Sequence, residues 1–154
     1  MNTLTKINIL KSVSKSVLVV ALFIASSISS QAQNENKGNT VTVTVNNIRN
    51  TNGKILSSLH DKSTFMTGKE GLQTAETIIE GNTVTITYKN VLPGEYAIMA
   101  VHDENNNKKM DFELNGMPKE HYGMSNNPIL YGPPTFDLAK VEIKNEDSNI
   151  TIRL

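Results

Sequence analysis

The sequence predicts an all-β protein: a single antiparallel β-sandwich of about seven strands with one long ordered loop. Three observations predict it. Apolar and polar residues alternate strictly at Thr40–Val45 (TVTVTV) and again at Thr83–Tyr88 (TVTITY), and a period of two marks a half-buried strand. Turn signals recur at short intervals, among them Asn52-Gly53, Gly81-Asn82 and Leu92-Pro93-Gly94. In such turns proline presets φ and glycine accepts positive φ. Beyond residue 32, no window keeps a helical period for more than about two turns.

Residues 1–32 stand outside the pattern and predict a cleaved signal peptide, its helix separate from the fold. Lys6, Lys11 and Lys15 give a positive start with no acidic residue, Val17–Ala25 (VLVVALFIA) is apolar throughout, and Ser30-Gln31-Ala32 is a small-x-small cleavage site. Nine residues rise only about 14 Å as a helix, against a bilayer core of about 30 Å. The expected location is therefore the periplasm or the extracellular space. No other apolar run approaches membrane length, so no membrane span is expected after cleavage. The full chain carries 15 basic and 15 acidic residues; losing the three lysines leaves 12 against 15, a net charge of −3. That balance argues against a nucleic-acid partner or an anionic membrane surface. The chain has no cysteine, which excludes disulfides, thiol nucleophiles, thiolate metal sites and a lipid anchor on cysteine. About 120 residues suffice for one domain with one core, and a monomer is expected.

The elements follow in order. Residues 33–39 (QNENKGN) are polar and predict a disordered linker, with the sandwich domain spanning 40–154. The Thr40–Val45 strand places its valines on one face. After Asn52-Gly53, Lys54–His60 (KILSSLH) is a second strand. Asp61–Ala75 has two glycines and no clean period, consistent with a short helix or a crossing loop. Glu76–Glu80 is a short strand, and Thr83–Tyr88 turns Val84, Ile86 and Tyr88 inward. Glu95–His102 (EYAIMAVH) is apolar on both faces, as in a central strand. Asp103–Pro134 is long, polar and rich in Asn, Gly and Pro; a loop of that length is usually functional. Phe136–Ile143 and Asn149–Leu154 are two closing strands around the turn Glu146-Asp147-Ser148.

The long loop opens on Asp103-Glu104-Asn105-Asn106-Asn107-Lys108-Lys109-Met110-Asp111. Oxygen side chains fall at loop positions 1, 3, 5 and 9, namely Asp103, Asn105, Asn107 and Asp111, and Lys109 at position 7 offers its carbonyl. Alternate residues converge where adjacent ones splay apart, so this spacing curls a short chain around one calcium ion. Two positions depart from the helix-flanked calcium loop. Lys108 stands where glycine makes the sharp turn, and Leu114 stands where a bidentate glutamate closes the sphere. Glu113, one place early, is the candidate substitute. Two or three carboxylates predict a weak site, on the order of 0.1–1 mM. The competing reading is an Asn-rich turn that needs no ion.

Histidine offers a second set. His60-Asp61 and His102-Asp103 both sit at strand ends, and His121 lies in the long loop; three imidazoles meeting at one edge would hold zinc with an open position. No HExxH pair, GxSxG elbow, GxGxxG or phosphate-cradling glycine loop occurs, and the carboxylates Glu113 and Glu120 have no evident direction. Tyr122 and Tyr131, with Phe136, flank the glycine-proline segments. They either grip a peptide or sugar or pin the loop to the core. The leading expectation is a non-enzymatic exported module with a protein or glycan partner and calcium in its loop. The rival is a metal-dependent hydrolase using the three histidines, and the third reading is a structural envelope protein without a ligand.

Four segments carry a family likeness: Leu92–Ile98 (LPGEYAI), His102–Asn105 (HDEN), Gly116–Asn127 (GMPKEHYGMSNN) and Gly132–Phe136 (GPPTF). In this order they resemble the exported bacterial family catalogued as Domain of Unknown Function 2141, over Thr40–Leu154 and most specifically over Tyr96–Asn127. The Pro-Gly-Glu-Tyr strand is also similar, over a short stretch, to transthyretin-like and carboxypeptidase-regulatory-like sandwiches. The resemblance implies an extracytoplasmic sandwich of Ig-like or transthyretin-like form and assigns no activity. In that family the asparagine loop usually carries a glycine; Asn106 and Lys108 leave this one without any.

Overall fold

The computed structural model describes residues 38–154; the predicted signal peptide and all but the last two residues of the predicted linker lie outside the described residues. Eight strands and one short helix follow in the order β1 (Asn39–Asn46), β2 (Lys54–His60), β3 (Gln73–Ile78), β4 (Thr83–Val91), β5 (Gly94–Asp103), β6 (Tyr122–Met124), α1 (Phe136–Ala139), β7 (Val141–Ile143) and β8 (Ser148–Arg153). They form two sheets, β4-β1-β8 and β3-β2-β5-β6, with β7 pairing the first three residues of β5. No helix among the described residues is long and apolar enough to cross a membrane.

The alternation read in the sequence becomes the core. Val41, Val43 and Val45 are shut off from solvent, as are Val84, Ile86 and Tyr88 across the β1–β4 register. They meet Ile55, Leu59, Ile98, Ala100 and Ile143 of the other sheet in one apolar cluster. Its polar element is the Tyr88 hydroxyl, which donates to Ser57 Oγ at 2.8 Å while Ser57 Oγ donates to the Met99 carbonyl at 2.9 Å. This satisfies the buried phenol, and burial pushes its pKa up to about 12. Strand β5 is buried on both faces, as its composition predicts: Ala97 belongs to a second, smaller cluster with Phe65, Met124, Phe136 and Ala139.

Besides β3, which spans Gln73–Ile78 where the sequence predicts Glu76–Glu80 because it pairs with β2 from Leu59 back to Lys54, three details differ from the sequence expectation. The sandwich is mixed rather than wholly antiparallel, because β8 returns from the β7 side of the second sheet and lies parallel to β1. The Phe136–Ile143 stretch is helix then strand. As one strand it would put Phe136 and Leu138 on one face; instead Phe136 and Ala139, three apart, are buried and Leu138 is exposed. The long loop is interrupted by β6, which pairs Met99–Val101 of β5. Gly123 permits this pairing, because a Cβ there would overlap the Arg153 carbonyl of β8. Between β2 and β3 the chain makes the crossing loop rather than a helix. Asp61 Oδ1 accepts the N–H groups of Ser63 and Thr64, and Phe65 packs edge-on against His60 and Phe136.

Candidate functional site: the end of strand β5 and its loop

Asp103 is the last residue of β5 and is fully buried. A buried carboxylate is costly unless hydrogen-bonded. Its two oxygens accept the backbone N–H groups of Asn107 at 3.1 Å and Lys108 at 2.9 Å. Asn105 Oδ1 accepts from Asn107 N at 3.0 Å, and Asn107 Oδ1 from Lys109 N at 2.8 Å. The side-chain amides of Asn105 and Asn107 then donate together to Asp111 Oδ2, at 2.7 and 2.8 Å. Three of the alternate residues singled out in the sequence are therefore joined directly: the N–H groups of the Asn105 and Asn107 amides meet on one carboxylate oxygen of Asp111, while Asp103 holds the backbone of the curl. The curl is made without glycine: Asn106 at φ 60° and Lys108 at φ 63° take the left-handed conformation themselves. For Lys108 that costs roughly 1–2 kcal/mol, offset by the bonds to Asp103.

The two lysines do not oppose a cation at the loop centre equally. Lys108 Nζ reaches away to Glu76 Oε1 at 2.7 Å on β3, and Lys54 Nζ meets the other oxygen of Glu76 at 3.1 Å. Lys108, and after it Lys54, hold the Glu76 carboxyl below the usual carboxylate range. Lys109 is exposed. Glu113 falls in the next turn, where its N–H bonds the Met117 carbonyl at 2.8 Å and its side chain is exposed. A carboxylate not singled out as a ligand lies beside the loop instead: Glu120 is buried, and its Oε2 accepts the Asp111 N–H at 3.2 Å. Its Oε1 has no hydrogen-bond partner.

The histidines divide. The β2–β5 register sets Ile55 opposite His102 and Ala97 opposite His60, five residues or about 17 Å apart along the sheet. His60 is engaged with Thr64 Oγ1 at 3.3 Å and Ser58 Oγ at 2.8 Å, and burial lowers its pKa. His102 and His121 are cross-strand neighbours: the His102 N–H donates to the His121 carbonyl at 2.8 Å, one residue beyond the β5–β6 pairing. The group that joins them is Glu104, whose Oε1 lies 3.8 Å from His102 Nδ1 and 3.9 Å from His121 Nδ1.

Tyr131 is 97 % exposed, whereas Tyr122 is half-buried in β6. Tyr122 lines an apolar cavity of about 780 Å³ on the outer face of the second sheet. Its walls come from the crossing loop (Met66), from β5 (Met99, Val101) and from the long loop (Met110, Phe112, Met117). Methionine is flexible and polarisable, and it suits surfaces that accept varied apolar groups. No local pattern announces this cavity, because its methionines arrive from three separate parts of the chain.

No curated protein and no solved structure matches the chain. A family model described as "Uncharacterized protein conserved in bacteria (DUF2141)" matches residues 43–151, from the middle of β1 into β8. That span covers the sandwich and both side-chain clusters at the end of β5, and the chain belongs to this family.

Proposed function

We propose that this chain is an exported β-sandwich module with a binding or accessory role, and that calcium orders its Asp103–Asp111 loop. The observation that carries the reading is the convergence of Asp103, Asn105, Asn107 and Asp111 on a glycine-free curl that already holds two residues at positive φ. Each amide Oδ1 retains a second lone pair, and Asp103 and Asp111 supply charge, with Glu120 adjacent. A weak site of this kind suits surroundings where calcium is abundant, in keeping with the signal-peptide features of residues 1–32. Met110 and Phe112 lie within and just beyond the loop and form part of the cavity wall. Ordering the loop therefore fixes a wall of the pocket, which favours an apolar segment of a partner protein over a sugar.

The test is thermal unfolding of the purified protein in calcium at about ten times the dissociation constant, against chelator. Mass action gives about 1.4 kcal/mol at that ratio, which raises the midpoint by about 5 °C. Asp103→Asn and Asp111→Asn remove the response. An unchanged midpoint in the wild-type protein sinks the calcium reading. N-terminal sequencing of the exported protein checks the rest, with Gln33 the expected first residue.

A further inference from the structure

We infer that His102, Glu104 and His121 form a separate transition-metal site, selective for zinc or a similar imidazole-preferring divalent ion. The inference goes beyond the calcium reading and does not rest on it. The sheet itself makes the cluster. Residues directly opposite on antiparallel neighbours present side chains to one face. His102 and His121 are opposite, and Glu104, the first residue of the turn after β5, folds its carboxylate back towards both. One donor atom from each lies within 4.8 Å of the other two.

The hydrogen bonding of His102 fixes what its ring offers. The ring is fully buried, and its Nε2 lies 2.8 Å from the Asn52 carbonyl. A carbonyl only accepts, so Nε2 carries the proton, and in the neutral ring Nδ1 carries a bare lone pair. A carbonyl holding the far ring nitrogen is the usual support for a metal-ligating histidine. The β1–β2 turn that provides it is locked in place: Gly53, at φ 68°, packs so closely on the Asp103 and Glu104 backbone that a Cβ would overlap it.

That lone pair has nowhere else to go. Nδ1 of His102 and Nδ1 of His121 are both buried and without a hydrogen-bond partner. The Glu104 carboxylate, at 3.8 and 3.9 Å, is too far for a hydrogen bond to either. The acceptor Nδ1 of His102 and a carboxylate oxygen, which only accepts, face the unpartnered Nδ1 of His121, and a cation bound by the neutral rings satisfies all three. The ligand types select it. Calcium takes oxygen ligands, whereas imidazole suits zinc and its neighbours. Two histidines and a glutamate leave a fourth position open to water or a ligand. Tetrahedral ligands bonded at about 2.0–2.1 Å stand about 3.3 Å apart, so the cluster must contract slightly. The side chains of Glu104 and His121 are 38 % and 33 % exposed, so the contraction falls to them rather than to the fully buried His102.

The experiment is a zinc titration of the tag-free purified chain by calorimetry, paralleled by cobalt(II) absorption. It includes Glu104→Gln and His121→Ala, both partly exposed positions, because His102→Ala in the buried end of β5 risks misfolding. The expected result is one zinc per chain and a four-coordinate or five-coordinate cobalt spectrum. Affinity falls at least about tenfold in each variant, with the calcium-dependent midpoint shift unchanged. Asp111→Asn does the reverse, removing the calcium response and sparing zinc. A wild-type chain that binds no zinc, or zinc affinity unchanged in both variants, overturns the site whatever calcium does.

Discussion

In β1, Val41, Val43 and Val45 are buried to the last atom, and each threonine between them faces outward into a two-sided ladder with β4 and β8. In the Asp103–Asp111 loop the six residues from Glu104 to Lys109 are exposed, and the backbone is held by carboxylate and amide groups bonding N–H groups two to five residues away. Both segments are about the same length, and each is hydrogen-bonded in its own way. The first rests on apolar burial, which carries no charge for an ion to pair with. The second rests on two aspartates and a set of dipoles, so its stability depends on charge. A region of the second kind responds to what surrounds it, and here it adjoins both proposed ion sites.

The sharpest way to separate the two regions is to damage one and read the other. Ile98→Ala opens a cavity in the fully buried β5 core. It should lower unfolding free energy by about 2–5 kcal/mol, measured by denaturant titration, with the calcium-dependent increment intact. Loss of that increment would mean that loop and core are one cooperative unit.

An alkaline titration comes next. Tyr88 has a folded pKa of about 12, above its ordinary value of 10.0. Below pH 10 both folded and unfolded chains carry the neutral phenol. Between pH 10 and 12 only the unfolded chain ionises, so stability falls as pH rises, by roughly 2–3 kcal/mol in all. Tyr88→Phe should flatten that decline while removing the bond to Ser57. An identical alkaline slope in the variant would show that the phenol is not the cause.

The smallest effect belongs to the ion pairs that anchor Lys108. Glu76 is held below its ordinary value of 4.5 by Lys108 and Lys54, so its contribution is present above that pH and is lost as pH falls through the folded value. Both partners are exposed, and the pairs are screened by salt. Glu76→Gln should slightly soften the acid limb at low ionic strength and leave the neutral-pH midpoint almost unmoved. A large neutral-pH loss would assign Lys108 a greater share in holding the curl.

What was legible in the sequence was what is local. Thr40–Val45 and Thr83–Tyr88 announce strands because period two is a property of neighbours, and the alternate oxygens of the Asp103 loop are visible for the same reason. The β6 strand was not, because Tyr-Gly-Met has no pattern of its own and is defined by β5 alongside it. The same pairing brings His121 to His102, beside Glu104 in the turn after β5, so the proposed metal site depends on a contact that spacing along the chain cannot reveal. His60 looked equivalent because it too precedes an aspartate at a strand end, but antiparallel pairing sends the two ends of β2 and β5 in opposite directions. The helix at Phe136 was hidden because FDLA alternates well enough for a strand, and only the neighbours around Phe136 and Ala139 decide which face is buried.

The parallel pairing of β1 with β8 has a mechanical consequence. Six residue pairs join them, from Val41 and Ser148 to Asn46 and Arg153. A force applied at Asn39 and at Arg153 pulls the two strands along their length in opposite directions. It loads all six pairs in shear at once, where a terminal hairpin would peel open one bond at a time. This arrangement makes Asn39 and Arg153 a pair of points at which the sandwich resists being pulled apart.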